Sequence, residues 1–257
     1  MKLATWNVNS VRAREARLLA FLDREAPDVL CLQELKGTED TFPHEAVTAR
    51  GYHAAIYGQR TYNGVAILSR TPPEDVAVGF RDDEDEDPQA RLVWATVDGV
   101  RVCSAYFPNG QKVGSDKWAY KLAWIARLRR ALDRLDPEVP FAIAGDFNVA
   151  PGERDVAFEE IWRWTVLCHP EARTALENVR AWGLEDTVRR VVGDVQGPYS
   201  WWDYRALAFP KGDGLRIDHV FATPALAAQA IAARVDRDER KGDVPSDHAP
   251  VIVEFSR

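Results

Sequence analysis

Residues 141–148 read Phe-Ala-Ile-Ala-Gly-Asp-Phe-Asn, an apolar run that ends in a carboxylate and an amide. A run this short and apolar is typical of a β-strand buried on both faces, as found inside layered α/β proteins. The edge of such a sheet, where strands end and loops begin, commonly carries the chemistry of the protein. We therefore expect a layered fold with functional side chains near Asp146 and Asn148.

The same combination of an apolar run and polar neighbours occurs five more times along the chain. On its own, an Asp or Asn at such a place is more commonly a turn residue, and a lone histidine is more commonly structural. Six coincidences favour a shared site instead. The polar residues concerned are Asn7 and Asn9, Glu34, Tyr106 and Asn109, Asp146 and Asn148, Asp218 and His219, and Asp247 and His248.

Hydrophobic periodicity predicts three helices, over residues 11–24, 115–135 and 172–183, the second of them capped by Ser115. Many strands with few long helices indicate stacked sheets covered by helices. Because no linker or low-complexity segment interrupts the pattern, we expect a single domain over residues 1–257. The predicted strands cover residues 2–7, 28–33, 64–69, 92–97, 101–106, 141–146, 216–222 and 251–255.

Composition narrows the class of protein. Hydrophobic residues make up 46% of the chain, which excludes a disordered or fibrous protein. Three cysteines, Cys31, Cys103 and Cys168, are too few for a disulfide framework and favour a reducing compartment. No signal peptide precedes the first predicted strand, and the most apolar stretch, residues 224–235, is too short to span a bilayer. We expect a cytoplasmic protein without a membrane partner.

The net charge of −7 does not exclude nucleic acid as a partner. Six acidic residues are consecutive at 82–87, and we expect them to form a solvated loop. The rest of the chain is near neutral, and its cations cluster at residues 12–17 and 112–130. Such clusters are either solvated helix faces or contacts to phosphates, because nucleic-acid binding depends on local charge rather than on the sum.

The candidate residues restrict the chemistry. Carboxylates and amides without paired Cys and His spacing suit a hard cation, Mg²⁺ or Mn²⁺, rather than thiolate-bound zinc. The sequence has no Gly-rich phosphate loop and no serine in a nucleophile-elbow context, so neither a nucleotide cofactor nor acyl transfer is expected. Metal-assisted attack of water on a phosphate ester remains.

Seven segments together resemble the exonuclease III family of abasic-site endonucleases, within the endonuclease/exonuclease/phosphatase superfamily. They occur in order across nearly the whole chain, between residues 3 and 253. The segments are 6–13 (WNVNSVRA), 32–36 (LQELK), 106–110 (YFPNG), 145–151 (GDFNVAP), 199–205 (YSWWDYR), 216–219 (RIDH) and 246–250 (SDHAP).

The resemblance implies a four-layer α/β sandwich, in which two mostly antiparallel sheets lie face to face and are flanked by helices. It also implies a magnesium site, with Mn²⁺ able to substitute. Glu34 would be the principal ligand, and Asn7, Asn9 and Asp247 would lie on the metal side.

For catalysis, the resemblance implies that Asp146 orients or deprotonates the attacking water. Asn148, Tyr106 and His248 would hold the phosphate oxygens and the charge of the transition state. Asp218 would pair with His248 and favour its cationic form.

For the substrate, the resemblance implies double-stranded DNA that carries an abasic site or a 3′ end, bound by a monomer. Arg12, Asn109 and Lys112 would contact its backbone phosphates. Two segments depart from the family pattern, the long acidic run at 82–87 and the aromatic-rich residues 159–165. We expect the acidic run to lie away from DNA.

The aromatic segment bears on specificity. Trp201, Leu215 and Ile217 match positions that wall a small apolar pocket for a flipped, baseless sugar, which an abasic site enters without unstacking a base. Trp202 is expected in the core, the commoner place for tryptophan.

Two other functions remain as alternatives. Other superfamily branches act on inositol phosphates or sphingolipids, but the inositol phosphatases favour a Trp before the Asp-Phe-Asn motif and a Trp-Cys-Asp-Arg segment, and both are absent here. A non-catalytic DNA-binding homologue would be expected to have lost Glu34, Asp146, Asn148 or His248, and all four are present.

Overall fold

The protein is described from a computed structural model, which covers residues 1–82, 84 and 87–256. Two six-stranded sheets lie face to face. The first has the strand order β11-β12-β1-β2-β4-β3 and the second has the order β5-β6-β7-β8-β10-β9. The strands are β1 (Lys2–Asn7), β2 (Val29–Gln33), β3 (His53–Tyr57), β4 (Val65–Ser69), β5 (Glu74–Val78), β6 (Leu92–Val97), β7 (Val100–Tyr106), β8 (Phe141–Asp146), β9 (Glu185–Asp186), β10 (Asp218–Ala222), β11 (Ala230–Val235) and β12 (Val251–Phe255).

Helices cover the outer faces of both sheets, which confirms the expected four-layer α/β sandwich. No helix among the described residues is long and apolar enough to cross a membrane. The helices are α1 (Glu15–Glu25), α2 (His44–Thr48), α3 (Asp116–Leu132), α4 (Glu159–Trp162), α5 (Pro170–Arg180), α6 (Thr187–Val192), α7 (Ala208–Lys211) and α8 (Pro224–Ala227), with short 3₁₀ turns at Glu39–Thr41, Glu153–Asp155 and Arg237–Arg240.

Each sheet contains one parallel pair, β1–β2 in the first and β7–β8 in the second, and the remaining pairs are antiparallel. Because parallel strands end at the same edge of a sheet, the carboxyl ends of these four strands meet at one edge of the sandwich. β10 runs antiparallel to β8 and places Asp218 directly opposite Asp146. The topology therefore collects several polar strand ends in one place.

The space between the sheets is filled largely by small and β-branched side chains, such as Val29, Val65, Val102 and Ala144, all fully buried. Outside the second sheet, α3 and α5 pack on a core rich in aromatic residues. Outside the first sheet, α1 buries Leu18 and neighbouring apolar residues on its inner face. These apolar layers account for the stacking because each removes a large apolar area from water.

A buried chain of hydrogen bonds joins the two sheets beneath the polar edge. The Thr5 hydroxyl donates to Gln33 Oε1 at 3.2 Å, and Gln33 Nε2 donates to Ser104 Oγ at 3.1 Å. The Ser104 hydroxyl in turn donates to the Leu32 carbonyl at 3.1 Å. Since buried polar groups are costly unless paired, this chain favours one relative placement of the sheets.

All three predicted helices are shorter in the structure than in the prediction, and the one predicted over 172–183 is α5 (Pro170–Arg180). The first begins at Glu15 instead of residue 11, because Arg14, with φ −116° and ψ 15°, lies outside the helical region. The helix predicted over 115–135 is α3, and the Ser115 hydroxyl accepts from the Trp118 N–H, which confirms the predicted cap.

The acidic run is not a fully solvated loop. Asp82 accepts from the Arg127 guanidinium of α3 at 2.6 and 2.8 Å, and Asp87 accepts from the Trp124 indole at 2.9 Å. The Asp82 pair lowers the pKa of that carboxyl. The remaining members at positions 83, 85 and 86 lie outside the described residues. The expectation of solvation is therefore wrong for the two ends of the run, because α3 presents donors to them.

Candidate active site

The polar strand ends form one cluster that joins the two sheets. Asn7, at the end of β1, donates from Nδ2 to Glu34 Oε1 at 2.9 Å and to Asp146 Oδ2 at 2.9 Å. Tyr106, at the end of β7, donates its hydroxyl to the same Glu34 Oε1 at 3.0 Å. Four predicted site residues from two sheets are thus in direct contact. Burial, together with the carboxylates of Glu34 and Asp146, raises the pKa of Tyr106, so the phenol keeps its proton.

The backbone turn at Asp146, Phe147 and Asn148 fixes the orientation of the Asp146 carboxylate. The Asn148 N–H donates to Asp146 Oδ1 at 2.9 Å, and Asn148 adopts a left-handed φ of 49°. Asn109 Nδ2 donates to Asn148 Oδ1 at 2.9 Å, so the exposed loop after β7 is tied to this turn. Gly145 is required here, because a Cβ at this position would lie 1.8 Å from the Ala105 carbonyl oxygen.

A charged imidazole lies beside the carboxylate cluster. His248 Nδ1 is 2.8 and 3.0 Å from the Asp218 carboxylate oxygens, and His248 Nε2 is 3.6 Å from Asp146 Oδ2. Burial alone would lower the pKa of His248, but the charges of Asp218 and Asp146 outweigh it and raise the pKa to about 10. The imidazole is therefore a cation at neutral pH, and the Ser200 hydroxyl supports its partner by donating to Asp218 at 2.6 Å.

Asp146 has a perturbed proton affinity. Burial raises the pKa of Asp146 to about 7, while the adjacent His248 cation acts in the opposite direction. A carboxyl group with a pKa near neutrality suits the role of a general base.

Asp247 lies on the other side of the cluster. Its carboxylate accepts from Asn9 Nδ2 at 3.0 Å and from the Trp201 indole at 3.0 Å. Burial alone would raise the pKa of Asp247, and His248 together with these hydrogen bonds lowers it instead. Asp247 is therefore ionised, and it is held by the two residues beside it.

A lysine that the sequence interpretation missed lies among the predicted metal residues. Lys36 Nζ is 2.8 Å from Glu34 Oε2 and 2.5 Å from Asn9 Oδ1. These two oxygens therefore already contact a positive charge, at the place that a hard cation would occupy. The signal was available, because Lys36 follows Glu34 by two residues.

Two groups of side chains could hold a metal ion. The first is Glu34 with the oxygens of Asn7 and Asn9, as predicted. The second is Asp146, Asp218 and His248, whose ligand atoms lie within 4.8 Å of one another. His248 is protonated and its Nδ1 is bound to Asp218, and a metal-binding imidazole must give up that proton. The chemistry of the donors therefore fits a hard cation better at Glu34 than at His248.

The predicted phosphate contacts lie on the exposed rim of this cluster. Arg12 lines a groove of about 550 Å³ together with Lys36 and Arg60. Asn109 lines a separate cavity of about 480 Å³ beside Tyr106, and Lys112 is exposed on the same loop as Asn109. The roles of these three residues in DNA binding stay predictions, and all three side chains are exposed.

The predicted abasic pocket is only partly accessible. Trp201 is half-buried, with its ring edge-on to Trp162 at 5.6 Å, whereas Leu215 and Ile217 are fully buried. A sugar would reach these two side chains only if groups around Trp201 move. The pocket stays a prediction. Trp202 is fully buried, as expected of a core residue.

The sequence interpretation also missed a group of buried charges next to the cluster. Arg216 is 1% exposed and donates to Asp155 at 2.7 Å and to Asp186 at 2.8 Å. These contacts anchor the chain just before Asp218, and burial of the carboxylates is outweighed by Arg216, which lowers the pKa of both. The sequence showed Arg216 only as part of a motif, with no sign of its partners.

At the edge of the four-layer sandwich, the site combines an ionised imidazole, a carboxylate suited to act as a base, and oxygen ligands for a hard cation. This combination is typical of a phosphoester hydrolase. The chain belongs to the Endonuclease/Exonuclease/phosphatase family, whose profile matches residues 4–248. It is a metal-dependent family of hydrolases that includes nucleases.

Individual relatives are similar over most or all of their length. The chain is 34% identical to exodeoxyribonuclease III of Haemophilus influenzae, covering 99% of this chain and 100% of that protein. It is 30% identical to the DNA repair nuclease APEX1 of Danio rerio, covering 98% and 81%. Among solved structures, the 3′-5′ exonuclease NExo of Neisseria meningitidis superposes with a TM-score of 0.96 at 42% identity, and an AP endonuclease of Archaeoglobus fulgidus with 0.95 at 36%, each covering 100% of both chains.

Proposed function

We propose that this protein is a DNA-repair nuclease that hydrolyses the phosphodiester 5′ to an abasic site, and removes nucleotides and phosphate groups from 3′ ends at the same site. The observation that carries this proposal is the pair of hydrogen bonds from Asn7 to Glu34 and Asp146. These bonds bring the two carboxylates together, and the charged His248 lies beside Asp146. The names of its relatives, among them exodeoxyribonuclease, AP endonuclease and 3′ phosphatase, support the same range of substrates.

Asp146 takes a proton from the attacking water. Its Oδ1 accepts from the Asn148 N–H and its Oδ2 from Asn7, so the carboxylate has a defined orientation. Because burial raises its pKa to about 7, it is a stronger base than an exposed carboxylate and still ionises near neutral pH.

His248, Tyr106 and Asn148 stabilise the charge that develops on the phosphate. The imidazolium supplies a positive charge that is buried and therefore weakly screened. Asp218 keeps that imidazole protonated and oriented through Nδ1, which leaves Nε2 directed to the reacting group. The Tyr106 phenol retains its proton and donates a hydrogen bond.

Mg²⁺, or Mn²⁺ in its place, would be held by Glu34, and Asn7, Asn9 and Asp247 would complete its site. When bound, the ion supplies positive charge against the phosphate oxygens. Lys36 contacts the oxygens of Glu34 and Asn9 that would also face the ion.

Substrate binding uses the rim of the cluster. Arg12 and Lys112 contact backbone phosphates, and Asn109 contacts the phosphate nearest to the site. Trp201, with Leu215 and Ile217 beneath it, excludes an intact nucleotide from the space that a baseless sugar enters. We further propose that the protein acts as a monomer in the cytoplasm, where its three free cysteines stay reduced.

The test uses two duplexes, one with a single abasic-site analogue and one with a 3′-phosphate at a nick. The expected result is cleavage of both in Mg²⁺ or Mn²⁺, and loss of cleavage with a chelator. Asp146→Asn, prepared in the same way, is the matched control for contaminating nucleases. Absence of cleavage on both duplexes, or cleavage that persists in the variant and in chelator, would contradict the proposal.

A further inference from the structure

Helix α3 carries a lysine at a core position. Lys121 is fully buried and lies on the same face of α3 as Trp118, Ile125 and Leu128, at the spacing of a buried helix stripe. The cation cluster at residues 112–130 therefore is not a uniformly solvated face. A fully buried lysine is rare unless its ammonium has hydrogen-bond or ionic partners.

All three N–H groups of the Lys121 ammonium are used on backbone carbonyls. Nζ donates to the carbonyls of Asn148 at 2.7 Å, Val166 at 2.7 Å and Asn109 at 3.1 Å. An ammonium has three donors and no acceptor, so this set saturates it. The three carbonyls belong to different loops, which follow β7, follow β8 and precede α5.

Two of these loops carry side chains of the cluster described above. Asn109 and Asn148 are themselves joined side chain to side chain at 2.9 Å, and Lys121 fixes the main chain of both. Asn148 is in the left-handed region, where a non-glycine residue persists only if its surroundings hold it. The third loop is also tied to the second by the Ala150 N–H, which donates to the Leu167 carbonyl at 2.8 Å.

We propose that Lys121 is a positioning residue, whose ammonium sets the relative placement of Asn109 and Asn148 through their carbonyls. It touches no substrate and acts through these two residues. Burial lowers its pKa to about 7, with the charge of Asp146 acting in the opposite direction, so the three carbonyl contacts offset only part of the cost of burying the ammonium. The inference rests on the proposed function only for its activity measurement.

The test compares Lys121→Met, which keeps the shape of the stem and removes the donors, with Lys121→Arg, which restores charge and N–H groups. Leu128→Ala, a cavity-forming change on the same buried face of α3, is the control for loss of stability alone. For release of a 3′-phosphate, we expect Lys121→Met to lower kcat by roughly tenfold or more at a temperature where it is folded. Lys121→Arg should recover part of that loss.

DNA affinity gives a second measurement. Dissociation constants in chelator should change by less than about threefold, because Arg12 and Lys112 remain on the rim and only the placement of Asn109 changes. A kcat within about twofold of the unchanged protein, or an equal loss in Leu128→Ala at the same melting temperature, would overturn the positioning role.

The side-chain amide NMR signals of Asn109 and Asn148 give a readout that does not depend on cleavage. In Lys121→Met both signals should shift, and the Asn109 amide protons should exchange faster. Unchanged signals would overturn the inference. If the unchanged protein cleaves neither duplex, the proposed function fails, and these signals still decide the placement of the two loops.

Discussion

Replacing Asp218 by Asn tests whether the negative charge of Asp218, rather than its shape, keeps His248 protonated. Asp218 is fully buried, contacts His248 Nδ1 through both oxygens and accepts from Ser200. Asparagine has the same size and can still accept a hydrogen bond from the imidazole. The substitution therefore removes one negative charge and little else, and it should leave His248 less strongly protonated.

The size of the effect follows from the pKa of His248, which is raised from 6.5 to about 10. At about 1.4 kcal/mol per pH unit, this corresponds to roughly 5 kcal/mol in favour of the cation. Asp218 is the strongest of the carboxylates that favour it, so we assign to it about 2 kcal/mol. That energy corresponds to about 1.5 pH units, so His248 should remain a cation at neutral pH and kcat should fall mainly above about pH 8.

The assay is a pair of pH profiles, one of kcat and one of the His248 ring signals by NMR. The alkaline decline should move down by about one to two pH units in Asp218→Asn. Stability should respond with the same sign. A raised pKa contributes stability that is present below 6.5 and lost as the pH rises towards 10, so the variant should lose less stability over that window.

Ser200→Ala is the matched control, because it removes a hydrogen bond from the same carboxylate and leaves its charge. It should change the profile of kcat only slightly. If Asp218→Asn and Ser200→Ala have equal effects, or if the His248 signals titrate as in the unchanged protein, the electrostatic reasoning is wrong.

Three further substitutions test the other assignments. Glu34→Ala should slow cleavage by orders of magnitude at limiting Mg²⁺, with partial recovery at high Mg²⁺ or Mn²⁺, and a metal titration with an unchanged midpoint would contradict the ligand role. Asp146→Asn should abolish turnover and keep or raise DNA affinity in a binding assay, whereas equal losses would mark it as structural. Trp201→Ala should lower the ratio of abasic cleavage to exonuclease rate; if Trp201 is core instead, stability falls by about 3–5 kcal/mol and the ratio is unchanged.

The central strands could be predicted from the sequence because burial on both faces leaves an uninterrupted apolar run. Phe141–Asp146 and Leu92–Val97 were predicted with the bounds that the structure has. Edge strands were missed. β5 (Glu74–Val78) is mostly exposed and β11 (Ala230–Val235) is only partly buried, so neither has a strong apolar pattern. Their strand form depends on a neighbouring strand that a local pattern does not contain.

For the site, residue types at strand ends indicated which side chains to consider, and the structure brings most of them into contact. The hydrogen-bond partners of these side chains could not be predicted from the sequence. Lys121 contacts chain segments 12 to 45 residues away, and Ser200 meets Asp218 only after the sheets have formed. A lysine within an apolar helix stripe was a signal that could have been used. Pairings between distant loops are set by tertiary packing and have no local sequence signature.

The cluster exists only where the two sheets meet. Asn7 and Glu34 belong to the first sheet and Tyr106 and Asp146 to the second, and the hydrogen bonds between them cross the gap. A chain in which one sheet has formed and the other has not therefore carries half of a hydrolytic centre. Cleavage should appear during refolding only when the sheets dock, later than the secondary structure of either one. Partly folded forms, which lack one half of the cluster, should therefore not cut DNA.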